Sequence, residues 1–193
     1  MHIIAGKYKN RRLHSPKGVT ARPTISRVRE AVFNMCSHTI QDGIFLDLFA
    51  GSGAMGFEAL SRGAQRVIFV ERDKKISSCI RKNAEELGVY DNVEIHRGSV
   101  FEILPYLFRS GHTFTHIYAD PPYNTSHQWK GNDILFSEHT MALVDSLDLL
   151  LPEGTFFLEE LRSVDLEAFP TKTLSQKSCR SYGQTSLWQY IKS

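Results

Sequence analysis

The feature that most limits the fold is a change of hydrophobic period at Gly43. From there to residue 160, short and nearly continuous apolar runs alternate with segments whose apolar residues recur at helical spacing. Ile44 to Phe49 reads as a strand buried on both faces, followed by a short helix over Ala54 to Arg62 that Gly63 closes. Val67 to Val70 is a second buried strand. Asp73 stands where it can cap a helix carrying Ile76, Ile80, Ala84 and Leu87, which Gly88 ends. Val93 to His96, a helix over Val100 to Phe108, Phe114 to Ala119, a helix near Leu135 to Leu149 and the strand Thr155 to Leu158 continue the series. Such alternation predicts a doubly wound α/β sheet with right-handed crossovers. Thr171 to Ser178 and Thr185 to Ile191 add an antiparallel hairpin around Ser181 to Gln184. Ahead of Gly43, His2 to Ala5 and Arg11 to His14 predict a small β-hairpin, and residues 16 to 23 a linker. Thr24 or Ser26 then caps a helix bearing Ile25, Val28, Val32 and Met35. With 193 residues there is room for one core, so residues 1–23 are read as an extension and 24–193 as the domain.

Ligands of such sheets bind beyond the carboxyl ends of the strands, and acids stand at four of them. They are Asp47 in the first strand, Glu71 after the second, Asp120 after the fourth, and Glu159 with Glu160 after the fifth. Gly51-Ser52-Gly53-Ala54-Met55-Gly56 satisfies G-x-G-x-x-G directly after a strand. Glu71, twenty residues after Gly51, is placed to take both ribose hydroxyls of an adenosine. Alone, this is the fingerprint of a nicotinamide-dependent oxidoreductase. Asp47 argues against it, because its charge would repel a bound pyrophosphate while attracting an ammonium or a sulfonium.

The fourth strand runs into Asp120-Pro121-Pro122-Tyr123. Two prolines remove two backbone donors and stiffen the segment, leaving an acceptor-rich loop beside a flat ring. A planar exocyclic amine is a poor nucleophile while its lone pair is delocalised. Hydrogen bonds from its N–H groups to the Asp120 carboxylate and the Pro121 carbonyl favour a pyramidal nitrogen with a localised pair. Stacking on Tyr123 would hold the base, at roughly 1–3 kcal/mol.

The stretch Asp47 to Gly53 resembles motif I of the Rossmann-like class I methyltransferases that use S-adenosylmethionine, and Asp120 to Tyr123 resembles the motif of their amino-methylating branch. Arg22-Pro23-Thr24, with Arg27-Val28-Arg29-Glu30-Ala31 and Phe33-Asn34, is similar to the signature ahead of motif I in the RsmD family, as is Tyr182-Gly183-Gln184 near the end. Members of that family methylate a guanine N2 of 16S ribosomal RNA. The resemblance implies a seven-stranded, mostly parallel sheet with an antiparallel C-terminal hairpin, and S-adenosylmethionine as cofactor. It implies cofactor contacts by Asp47, Phe49, Ala50, Gly51, Ser52, Gly53, Ala54, Glu71 and Arg72. Ser99 and Val100 complete that set, Ser99 standing where many methyltransferases carry an acid that reads the adenine. The target base is given to Asp120, Pro121, Pro122 and Tyr123. An adenine-N6 nucleic-acid methyltransferase, or an RNA-binding assembly factor without turnover, are the competing readings. The polar segment Asn124 to Asp133 reads as an ordinary loop in preference to a lid.

Charge bears on the partner. The formal net is only +2, yet residues 1 to 30 hold eight basic side chains and one acid, Glu30; fifteen basic and twenty acidic residues remain for the rest. Lys7, Lys9, Arg11, Arg12, Arg22 and Arg27 are read as contacts to RNA phosphates, which supply affinity independent of sequence. Arg22 or Arg29 are alternatively read as pairing with carboxylates of the fold. The expected substrate is 16S ribosomal RNA, in the 30S subunit or an assembly intermediate. No apolar run suits a bilayer, and Lys7 to Arg12 interrupt any signal peptide. Cys36, Cys79 and Cys179 are too scattered for a disulfide scaffold or zinc site, and the eight histidines are read as carrying no metal-ligand spacing. A cytoplasmic, metal-free monomer is expected.

Overall fold

The computed structural model describes residues 1–15 and 26–193. The linker, the cap at Thr24, Ile25 and the RNA contact at Arg22 fall outside the described residues. The chain forms α1 (Ser26–Met35), β1 (Ile44–Leu48), α2 (Ala54–Ser61), β2 (Arg66–Glu71), α3 (Lys74–Leu87), β3 (Val93–Arg97), α4 (Val100–Arg109) and β4 (Phe114–Ala119). It continues through β5 (Ser126–Trp129), β6 (Asn132–Leu135), α5 (Phe136–Ser146), β7 (Leu150–Leu161), β8 (Leu174–Tyr182) and β9 (Thr185–Lys192). Seven strands form one sheet in the order β3-β2-β1-β4-β7-β9-β8. The first five are parallel neighbours, and β9 runs antiparallel to both β7 and β8.

Alternate residues of the parallel strands feed two cores. Phe45, Val67, Phe69 and Phe157 face α1, α2 and α3, whereas Leu46, Leu48, Ile68 and Phe156 face α4 and α5. Local signals set several boundaries. Asp73 accepts the amides of Lys75 and Ile76 at 2.8 and 2.9 Å, and Gly88 closes α3 at φ +70°. β8 begins three residues later than expected. The reason is Asp145, whose Oδ1 accepts the amides of Lys172, Thr173 and Leu174 at 2.8–3.0 Å and spends that stretch as a loop. Burial works to raise the Asp145 carboxyl pKa, but these donors overcome it and hold it below the usual range. β7 extends beyond Thr155 to Leu158 at both ends, so Glu159 and Glu160 lie within the strand and not after it.

The polar segment after Tyr123 is also more regular than expected: β5 and β6 pair from Ser126 with Leu135 to Trp129 with Asn132. Their two-residue turn is Lys130-Gly131, both at positive φ (+51° and +83°), which suits a tight hairpin.

At the N-terminus the two arms expected as short strands meet in a single bridge, His2 with Arg12, and are joined by the Ile3 amide to the Arg11 carbonyl, the Asn10 amide to the Ile3 carbonyl and the Leu13 amide to the Met1 carbonyl at 2.9–3.0 Å. Glu58, on α2 and fully buried, fastens the first arm to the domain. It accepts the amides of Ile4 (2.8 Å) and Ala5 (3.0 Å). Its carboxylate also takes Arg62 Nε at 2.8 Å and lies 3.9 Å from Arg29 Nε. Arg29 is 2% exposed and donates to the His2 carbonyl, 3.1 Å away. Burial lowers its pKa, and Glu58 opposes that shift. Ile3 and Leu13 are buried in the same core as Val28 and Phe33, so the extension packs as part of the domain.

Removing Glu58 leaves the Arg29 charge buried with less compensation. Glu58→Ala should therefore cost about 3–5 kcal/mol of unfolding free energy, read as a lower urea midpoint. A loss under 1 kcal/mol would contradict this account of the arm.

Candidate functional site

β1 delivers the chain to the site through a left-handed residue. Phe49 has φ +57°, a region that bulky side chains rarely occupy, and Gly51 and Gly53 follow at +53° and +78°. At Gly56 a side chain is excluded for a different reason: an added Cβ would sit 2.3 Å from the Phe69 ring. Two acids hold this turn. Asp47 Oδ2 accepts the Gly56 amide at 2.9 Å from beneath, with its carboxylate 1% exposed. Glu71 Oε2 accepts the Gly51 amide at 2.9 Å, and its Oε1 accepts the Asp73 amide at 2.8 Å. Burial raises the Asp47 pKa well above the usual carboxylate range, the Gly56 bond opposes this, and Asp120 and Glu71 raise it further.

The turn opens on a cavity of about 500 Å³ at the carboxyl edge of the sheet, within the range of small-molecule sites. Of the residues expected to hold the cofactor, Phe49, Gly51, Glu71, Arg72, Ser99 and Val100 line it. Asp47, Ala50, Ser52, Gly53 and Ala54 do not; they build the turn behind it. Asp120, Pro121, Pro122 and Tyr123 form the opposite rim. Ser99 precedes α4 and makes no side-chain capping bond.

Sequence reading missed the aromatic wall. Phe101, His127 and Phe136 line the cavity. Phe101 stacks on His139 with centroids 4.3 Å apart and packs against His127 at 4.6 Å. His127 Nε2 meets His139 Nδ1 at 2.8 Å. Burial, helped by His127 and Lys130, pushes the His139 pKa down to about 4, so its ring is neutral near pH 7. The Trp129-Lys130-Gly131-Asn132 turn was the available signal for the hairpin that brings His127 here. His112 and His116 do stand four residues apart, a spacing the sequence reading overlooked. On an extended segment they separate: His112 Nε2 lies 3.7 Å from Glu94, whereas His116 Nε2 meets Thr39 Oγ1 at 2.9 Å. Among the described residues no His, Cys, Asp and Glu group is placed to hold a metal ion. No helix among them is long and apolar enough to cross a membrane.

The loop after β4 is held from both faces of β7. Glu159, 3% exposed, accepts hydrogen bonds from the hydroxyls of Tyr118 and Tyr123, the latter at 3.0 Å. On the other face Glu160 accepts the Asn124 amide at 3.1 Å and the Ser137 hydroxyl at 2.7 Å. Burial, then Asp120 and Glu159, raise the Tyr123 pKa, so its hydroxyl stays a donor.

The basic residues are spread over the molecule. The Lys7 amide bonds to the Ser61 carbonyl at 2.7 Å, which places Lys7 and Lys9 beside the end of α2 remote from the glycine turn. Arg11 Nη2 donates to the Glu86 carbonyl at 2.9 Å. Arg12 and Arg27 are exposed. Phe33, late in α1, stacks on Phe45, early in β1, at 5.8 Å. The helix thus runs back along the sheet and carries Arg27 toward the carboxyl edge.

Residues 1–191 match the family model described as Conserved hypothetical protein 95. The YlbH protein of Bacillus subtilis is 32% identical over 193 residues, covering 100% of this chain and 99% of that one. Ribosomal RNA small subunit methyltransferase D of Escherichia coli is 31% identical over 159 residues, 82% of this chain and 74% of that protein. Among solved structures, the yhhF protein of Escherichia coli superposes with a TM-score of 0.83 at 30% identity, covering 100% and 97% of the two chains. The chain belongs to the Conserved hypothetical protein 95 family, the RsmD family of class I methyltransferase fold.

Proposed function

We propose that the protein transfers a methyl group from S-adenosylmethionine to the exocyclic N2 of a guanine in 16S ribosomal RNA. The observation that carries this reading is the Asp120–Tyr123 rim, facing Glu71 across one cavity. Ribosomal RNA methylation with S-adenosylmethionine is the activity of the family; the choice of guanine N2 is our finer reading. The cofactor fits the residues present. Asp47, Asp120 and Glu71 lie close enough for the other two to raise the Asp47 pKa, a mutual repulsion that a cationic ligand relieves.

When bound, S-adenosylmethionine supplies a methyl group activated by the adjacent sulfonium. Glu71 is oriented by the Gly51 and Asp73 amides, and each of its oxygens keeps a lone pair for a ribose hydroxyl. Ser99, Val100 and Phe101 would hold the adenine side, and Phe49, Gly51 and Arg72 the remainder of the cofactor. Asp47 holds the turn through Gly56 and adds its field from behind. Tyr123, pinned by Glu159, offers its ring to the flipped guanine. Asp120 and the Pro121 carbonyl accept hydrogen bonds from the amine, keeping its lone pair on nitrogen and aimed at the methyl carbon. Attack of that nitrogen would form the N–C bond as the C–S bond breaks with its electron pair to sulfur, and the Asp120 carboxylate, already hydrogen-bonded to the amine, would take the proton the nitrogen then loses. Positioning supplies most of the acceleration. Arg12 and Arg27 grip RNA phosphates, Lys7, Lys9 and Arg11 contribute farther out, and Arg22 is a further contact. The substrate is the RNA within the 30S subunit or an assembly intermediate, and the enzyme works as a cytoplasmic monomer.

Asp120→Ala should cut methyl transfer to unmodified 30S subunits by roughly 10²–10³-fold, with calorimetric S-adenosylmethionine affinity within about threefold of wild type. Near-normal turnover would refute the role of Asp120. Glu71→Ala should show the opposite pattern: affinity lower by roughly 10–100-fold and transfer largely retained at saturating cofactor. Mass spectrometry of digested ribosomal RNA should place the methyl on guanine N2; a mark on adenine N6 would overturn the base assignment.

A further inference from the structure

The carboxyl edge of the sheet is divided by the loop after β4. On one side lie the ends of β1, β2 and β3, which carry Gly51, Glu71 and Ser99 of the cofactor cavity. On the other lie β7, β9 and β8. There a second, shallow groove is lined by Leu161, Arg162 and Ser163 at the end of β7, with Gly183 and Gln184 of the β8–β9 turn. The Arg162 amide donates to the Gln184 carbonyl at 2.8 Å, joining the two walls. This turn is the Tyr182-Gly183-Gln184 segment, which neither the cavity nor the methyl-transfer chemistry uses.

The groove adjoins the ring that receives the base. Thr185, paired with Leu161 across the strands, makes a side-chain hydrogen bond with Tyr123. Arg162 stands three residues beyond Glu159, which holds the Tyr123 hydroxyl, so their Cα atoms are about 10 Å apart along the strand. Arg162 is exposed and forms no ion pair among the described residues. Asp165, the nearest acid after it in sequence, turns Oδ1 to the Glu167 amide at 2.8 Å. Gly183, at φ +65°, has nothing within 4 Å of where a Cβ would lie, so a ligand can approach its backbone.

We propose that this groove holds a phosphodiester of the substrate RNA flanking the target nucleotide, with the Arg162 guanidinium as the charged contact and Gln184 as a polar one. The site rests on the nucleic-acid reading above. With a base against Tyr123 and the cofactor on the β1–β3 side, the sugar–phosphate chain leaves over β7 and β9. A guanidinium offers a phosphate paired donors in a fixed plane, and the contact carries no base information.

The test uses the full-length protein and transcribed 16S ribosomal RNA, with binding measured from 50 to 200 mM KCl. Arg162→Glu should weaken RNA binding about tenfold and reduce the slope of log affinity against log salt by about 0.7–0.9, one phosphate contact. Arg109→Glu, an exposed charge reversal at the far end of α4, should change neither, and S-adenosylmethionine affinity should stay unchanged in both variants. Wild-type affinity and slope in Arg162→Glu would overturn the groove, whatever the methylation assay shows. Arg162-dependent binding with no methyl transfer by the wild-type protein would overturn the methylation reading and leave the groove standing. If the wild-type protein does not bind the RNA, both fall.

Discussion

Burying a carboxylate costs several kcal/mol unless donors gather around it. Much of this architecture follows from how six such groups are satisfied. Asp47 takes the Gly56 amide, Glu71 those of Gly51 and Asp73, and Glu58 those of Ile4 and Ala5. Glu160 takes the Asn124 amide, Asp145 the amides after residue 171, and Glu159 two tyrosine hydroxyls. Apart from Tyr118 in β4 and Leu174 at the start of β8, these donors lie on segments outside the sheet. Two of the fastened segments are the glycine turn and the loop after β4, which together bound the cavity.

The same acids set the electrostatics of the site. Hydrogen-bond donors surround Glu160 and Asp145, whereas Asp120 and Glu71 both act on the buried Asp47 behind the glycine turn, raising its pKa. A cationic cofactor and an amine offering N–H groups are the partners that such a field favours; a pyrophosphate is not. The chemistry therefore depends on the protein keeping negative charge where desolvation resists it.

What could be read in the sequence was local. The Asp73 cap, the Gly88 stop, the glycine turn and the Asp120–Tyr123 loop each depend on residues within a few positions of one another, and the structure reproduces their boundaries. What escaped depends on partners far along the chain. Glu58 captures amides more than fifty residues away, and nothing near Ile4 announces that its N–H is spoken for. Residues 171–173 look like strand until Asp145, on another helix, claims their amides. The β5–β6 hairpin was hidden by polar composition, because only Ile134 of its eight residues is buried. His127 and Phe136 were lost with it. The basic head was legible as charge but not as geometry, since the contact between the Lys7 amide and Ser61 sends its tip to the wrong end of α2 for the cavity.

The Arg29–Glu58 contact has a consequence for how nucleic acid is met. Because Glu58 holds the Ile4 and Ala5 amides and Arg29 the His2 carbonyl, the arm cannot peel away without breaking three hydrogen bonds to buried charges and exposing Ile3 and Leu13. Arg12 and Arg27, the phosphate contacts proposed above, are consequently carried on the same folded unit as the Asp120–Tyr123 rim. Engaging a polyanion then requires no folding of these two contacts from a disordered tail, and the conformational entropy that such tails surrender on binding has already been lost when the protein folds.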